Sequence, residues 1–121
     1  MLTLLVAIVI VFCLGMGVIA LAAPERVAAI FGTTTTPAAR NEIRAVYGGF
    51  GIVIAAMLAW GLRDPAMRPG IFLTVAASFA GMALGRVVSA GLERPGGFYP
   101  SWFYCTVELA MAGTLWAARF P

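Results

Sequence analysis

Residues 2–23 read LTLLVAIVIVFCLGMGVIALAA, a run without a single charge that stops at Pro24-Glu25-Arg26. A helix rising ~1.5 Å per residue needs about 20 such positions to cross the ~30 Å hydrocarbon layer of a bilayer. The stretch therefore predicts a transmembrane helix. A cleaved signal peptide is the rival reading, because Ala20-Leu21-Ala22 resembles a small-residue cleavage site. Signal peptides open on a basic segment and carry a shorter apolar run. Here only Met-Leu-Thr precedes a long run, so a retained helix is expected.

The remainder of the chain agrees with lipid as the solvent. Hydrophobic residues make up 62% of the 121 positions and charged residues 11%, with a mean hydropathy of +0.97. A soluble domain carries about 25% charged residues to cover its surface; without them it would expose a continuous apolar patch and aggregate. The length makes one domain. All eight basic residues are arginine, and the net charge is +3. That charge is spread over several loops, too thin for a nucleic-acid footprint, and suits arginines at helix ends facing anionic headgroups. With no histidine and two cysteines, no metal site or cofactor is expected. Cys13 and Cys105 differ in predicted depth by roughly 10 Å, beyond disulfide reach, and read as apolar packing residues.

Punctuation divides the chain into four spans, about 2–23, 40–62, 71–92 and 101–119. The segment PERVAAIFG, Pro24 to Gly32, places Val27, Ile30 and Phe31 on one side and Glu25 and Arg26 towards water. It predicts a short interfacial helix after helix one, ended by the glycine. Thr36-Pro37 is an N-cap followed by a first-turn proline, opening a second helix that runs to about Leu62, with Arg40, Asn41 and Glu42 among the headgroups. Arg63-Asp64-Pro65 and Arg68-Pro69-Gly70 make a turn, and a third helix follows from about Ile71 to Leu92. Glu93-Arg94-Pro95-Gly96-Gly97 breaks the chain again, with Phe98, Tyr99 and Trp102 as interfacial aromatics and Ser101 as the cap of the last helix. The expected fold is an all-α membrane protein, a four-transmembrane-helix bundle. Arginines divide almost evenly between the two sides; the acidic Glu25, Glu42 and Glu93 dilute one of them and lean the N-terminus towards the cytoplasm.

Small residues are the expected packing device. Ala77, Gly81, Gly85 and Ser89 recur at fourfold spacing on helix three, and Gly48, Gly49, Gly51, Ala55 and Ala59 lie on helix two. In lipid, close backbone approach through such residues drives helix association. These stripes are expected to close the bundle internally, with a homodimer seam as the alternative.

Three charges fall inside spans rather than at their ends: Arg44, Arg86 and Glu108. An ion there costs several kcal/mol unless it pairs or snorkels. Up-and-down topology puts all three in one leaflet. Tyr47 shares a helical stripe with Arg44, Ser89 one with Arg86, and Tyr104 one with Glu108. Arg44, Tyr47, Arg86, Ser89, Tyr104 and Glu108 thus form the candidate cluster, opposite a dry half built on Met, Leu, Ile and Ala. Three readings are open: a structural ion pair that fixes register, a site for a small anionic or polar headgroup, and proton-coupled work by Glu108.

The segment Arg44-Ala45-Val46-Tyr47-Gly48-Gly49-Phe50, with Gly85-Arg86 and Glu108-Leu109, resembles the domain-of-unknown-function 4345 family, small bacterial membrane proteins broadly similar to DoxX-like proteins. The resemblance runs from helix one to Arg119, and Arg-x-x-Tyr-Gly-Gly is its most specific part. It implies a four-helix bundle in the bacterial inner membrane, with Arg44, Tyr47, Gly48, Gly49, Arg86 and Glu108 as signature positions, and no activity. Small multidrug-resistance transporters rely on a glutamate in their first helix, which is uncharged here. In membrane glutathione-transferase-like proteins the Arg/Asn/Glu spacing differs.

No Cys/His pair, nucleophile motif or phosphate loop is present, so an enzyme is not expected. The leading expectation is an accessory or assembly subunit that docks on a larger membrane complex or self-associates among membrane lipids. The alternative is a lipid-, quinone- or small-solute-binding protein or transporter using an Arg44/Arg86/Glu108 pocket.

Overall fold

The computed structural model describes residues 1–121 as helices and short connections. We number the helices α1 (Leu2–Ala22), α2 (Pro24–Ile30), α3 (Pro37–Arg63), α4 (Arg68–Leu92) and α5 (Ser101–Ala118). The four long helices close a ring: α1 packs on α3, α3 on α4, α4 on α5, and α5 back on α1.

The boundaries follow local chemistry. Ala23 leaves the helical region (φ −142, ψ 66) because the residue before a proline is pushed there, and Pro24 then opens α2. Gly32 takes φ +70 just beyond α2, the left-handed conformation a glycine adopts without strain. The Thr36 hydroxyl accepts from the Ala39 N–H at 3.2 Å and caps α3. In the next turn the Asp64 carboxylate accepts from the N–H groups of Ala66 and Met67. The expected hydroxyl cap at Ser101 is absent; Pro100 occupies the cap position, and Ser101 is already the first residue of α5.

Helix C-termini are finished by arginine. Arg44 Nε donates to the Leu21 carbonyl at the end of α1 (3.2 Å). Arg68 donates through Nε to Gly61 (2.9 Å) and through Nη2 to Leu62 (2.8 Å) at the end of α3, and Arg119 donates to Trp116. The last carbonyls of a helix lack intrahelical partners and carry partial negative charge, so a guanidinium suits them on both counts.

One region departs from α-geometry. Residues Arg44–Gly49 form a π-helical turn inside α3, and the turn faces α1. Gly48 approaches so closely that an added Cβ would lie 2.7 Å from Leu21 Cδ2. At Gly17 it would lie 2.9 Å from the Gly48 carbonyl, and at Gly51 3.1 Å from the Cys13 carbonyl. This is the small-residue crossing expected in lipid, made between α1 and α3.

The stripe on α4 behaves differently. A Cβ at Gly81 or Gly85 would meet nothing within 4 Å, and at Gly49 only the Arg44 carbonyl at 3.9 Å. Of the stripes expected mostly to close the bundle internally, Gly48 and Gly51 do so against α1, whereas Gly81 and Gly85 face open space. Regular spacing identifies a stripe but not the side to which it turns.

Only 23 of 121 residues are buried, so most apolar side chains lie on the outside, as a lipid environment allows. One core joins Val6, Val9 and Cys13 of α1, Ala55 and Leu58 of α3, Phe72 and Val75 of α4, and Met111 and Leu115 of α5. It fills the half of the bundle nearer the α3–α4 turn. Three helices, α1, α3 and α4, are long and apolar enough to cross a membrane. Helix α5, at 18 residues, is not among them, because Glu108, Thr106 and Thr114 dilute it.

The α1–α3 crossing predicts an asymmetric response to side-chain insertion. Gly17→Leu should lower the thermal unfolding midpoint in detergent by several degrees, since overpacking costs about 1–3 kcal/mol. Gly15→Leu, on an open face, should leave it unchanged.

Candidate functional site

Of the three charges that the sequence places inside helices, the structure brings two together. Arg86 Nε donates to both carboxylate oxygens of Glu108, at 3.0 Å (Oε1) and 2.8 Å (Oε2), and Nη2 donates to Oε1 at 2.7 Å. This is a forked, charge-assisted contact. The Glu108 side chain is 4% exposed and that of Arg86 21%. The carboxylate is therefore sealed while one side of the guanidinium reaches out. No buried side-chain polar atom is left without a partner.

Aromatic rings frame the guanidinium. Its Cζ lies 5.5 Å from the Tyr104 ring centroid and 5.9 Å from that of Phe31, within the range of cation–π attraction. Phe31 and Tyr104 are 5.8 Å apart, and Tyr99 and Phe103 extend the cluster. Phe31 belongs to the stretch just after α2, so the short helix is tied to the ion pair. Periodicity places Phe31 only on an apolar side; its ring-to-arginine contact depends on how α2 folds back, which periodicity does not encode.

Arg44 does not join this ion pair. It caps α1 instead, donating to Leu21 from the first residue of the π-turn. The Arg-x-x-Tyr-Gly-Gly stretch thus divides its labour within one turn. Arg44 satisfies the end of α1, Gly48 admits α1 closely, and Tyr47 faces a cleft between α3 and α4.

That cleft has a volume of about 620 Å³ and is almost wholly apolar. Helix α3 contributes Tyr47, Phe50 and Ile54, α4 contributes Val75, Ser78, Phe79 and Met82, and Cys13 and Met16 of α1 form its back wall. The Ser78 hydroxyl donates to the Thr74 carbonyl at 2.9 Å, so it offers no free donor to the interior. Beyond Met82 a second, polar cavity of about 530 Å³ begins, lined by Arg86, Ser89, Glu93, Arg94 and Ser101. Met82 borders both.

Their alignment along α4 follows from helix periodicity. Val75, Ser78, Met82, Arg86, Ser89 and Glu93 lie three or four residues apart and share one face of α4. Along it, the surroundings change from hydrocarbon-like to polar at Arg86. From Val75 to Arg86 the axial distance is ~16 Å, about half the ~30 Å hydrocarbon thickness. Of the sequence-predicted residues, Tyr47 lies on the apolar cleft, Ser89 on the polar cavity, Arg86 and Glu108 in the pair, and Tyr104 against it. Arg94 and Ser101 were missed as lining residues, since a loop arginine and a helix-start serine carry no signal of a cavity.

An all-helical chain with three membrane-length helices and an ion pair sealed between two helices defines a helical membrane-type bundle. Within that class, the chain belongs to the family described as a domain of unknown function, DUF4345, whose family model matches residues 1–118. No curated protein and no solved structure matches it.

The pair predicts strong non-additivity. Arg86→Met alone leaves Glu108 buried and unpaired, and should cost about 3 kcal/mol. In denaturant unfolding in detergent, Arg86→Met/Glu108→Leu should recover most of that loss. A double variant no more stable than the single would refute coupling between the two.

Proposed function

We infer that the protein is a non-enzymatic, four-span protein of the bacterial inner membrane that holds one bilayer amphiphile between α3 and α4. In this reading the hydrocarbon chain lies in the apolar cleft and the polar end lies beside Arg86. The observation that carries it is that an apolar cleft and a polar cavity lie along one face of α4 and share Met82 as a wall. The almost wholly apolar lining of the cleft suits a hydrocarbon chain.

Helix α5 serves as the fourth span. Its inner residues Met111 and Leu115 share the core with Val6 and Val9 of α1, and its charge is neutralised by Arg86. Its outer face carries Leu109 and Trp116, both more than half exposed.

The outward Gly81 and Gly85 favour a second reading, an accessory subunit that receives a helix of a larger complex on α4. An open small-residue face lets another backbone approach closely. The two readings compete for nearby surface, and lipid occupancy separates them.

Protein purified in mild detergent should retain about one phospholipid per chain, counted by mass spectrometry of extracted lipid. Ser78→Trp fills the cleft from an exposed position and should lower occupancy about tenfold, equivalent to ~1.4 kcal/mol, with its thermal midpoint preserved. Equal occupancy in both proteins would overturn the amphiphile reading.

A further inference from the structure

A hydrocarbon chain gains little by leaving one apolar medium for another, because lipid tails are as apolar as the side chains of the cleft. Selectivity must therefore come from the polar end. There Arg86 is already neutralised by Glu108, leaving its outer N–H groups as donors without surplus charge. The cavity also carries Arg94 and Glu93, both exposed. Neither forms an ion pair, since the sole salt bridge joins Arg86 to Glu108. It thus offers one free cation and one free anion, with the hydroxyls of Ser89 and Ser101 between the helices.

We propose that this polar cavity selects a zwitterionic, ammonium-bearing phospholipid headgroup over an anionic one, an assignment that rests on the amphiphile reading above. The phosphodiester sits against Arg94 and the outward N–H groups of Arg86, and accepts from the serine hydroxyls. The ammonium, a compact donor of hydrogen bonds, sits against the Glu93 carboxylate. An anionic headgroup would satisfy Arg94 but leave Glu93 without a counter-charge and facing a like charge.

The test offers detergent-purified protein an equimolar mixture of phosphatidylethanolamine and phosphatidylglycerol and reads bound lipid by native mass spectrometry. The wild type should favour phosphatidylethanolamine by about fivefold, the upper end for an exposed ion pair. Glu93→Gln should bring the ratio close to one, and Arg94→Gln should reduce retention of both lipids. Both positions are exposed, and an unchanged circular-dichroism melt confirms that each variant is folded. A wild-type ratio near one, a preference for phosphatidylglycerol, or a ratio that Glu93→Gln leaves unmoved would overturn the headgroup assignment. Ser78→Trp separates the two levels. If it releases lipid while the wild-type ratio is near one, only the headgroup assignment fails; if it releases none, the cleft reading fails as well.

Discussion

The forked contact between Arg86 and Glu108 is the constraint around which this bundle is arranged. A carboxylate sealed in an apolar interior is sustained only by a nearby, well-oriented cation. Glu108 on α5 has one such partner, on α4. The contact fixes the rotation of α5 against α4 and their relative height, because a shift of one residue would turn either group by about 100° around its axis. Those settings place Tyr104 and Phe31 against the guanidinium and turn Val75, Ser78 and Met82 of α4 towards the cleft shared with α3. The apolar cleft and the polar cavity both depend on that face of α4.

The two ends of the bundle are held by different physics. Near the α3–α4 turn, Phe72, Leu58, Leu115 and Val6 are fully buried and make an ordinary apolar core. Near the other end, α1 and α3 remain close through Gly17, Gly48 and Gly51, while α3 and α4 part to leave the cleft. The π-turn supports this divergence. An extra residue in the turn rotates the N-terminal part of α3 relative to its C-terminal part, so one helix can present glycine to α1 and Tyr47 to the gap.

Much of this could be read from the sequence where local chemistry decides. The charge-free run at Leu2–Ala23 and the Thr36-Pro37 start fix helix starts and stops because caps and prolines act within a few residues. The approach of Arg86 to Glu108 could be anticipated, since both lie under two turns from the ends of adjacent helices and an unpaired ion in hydrocarbon is costly. Three features could not. Depth alone groups Arg44 with the pair, whereas its direction is set by the π-turn, which depends on packing against α1. Gly81 and Gly85 share the spacing of a packing stripe, but spacing does not say which way a stripe points. Helix α5 reads as a span by position, yet its own residues are less apolar than those of α1, α3 and α4.

The pairing of α4 with α5 also bears on how these two helices come together. The two helices are consecutive, joined by the short stretch from Glu93 to Pro100. Arg86 and Glu108 can therefore meet as soon as both helices have formed, before the rest of the bundle gathers. Presented singly to hydrocarbon, α5 would carry a bare carboxylate and α4 a bare guanidinium. Presented as a hairpin, the two charges cancel and their hydrogen-bonding groups satisfy each other, so the least apolar helix carries a carboxylate already neutralised by its neighbour. The interaction that sets the finished geometry also makes α4 and α5 a self-neutralised hairpin.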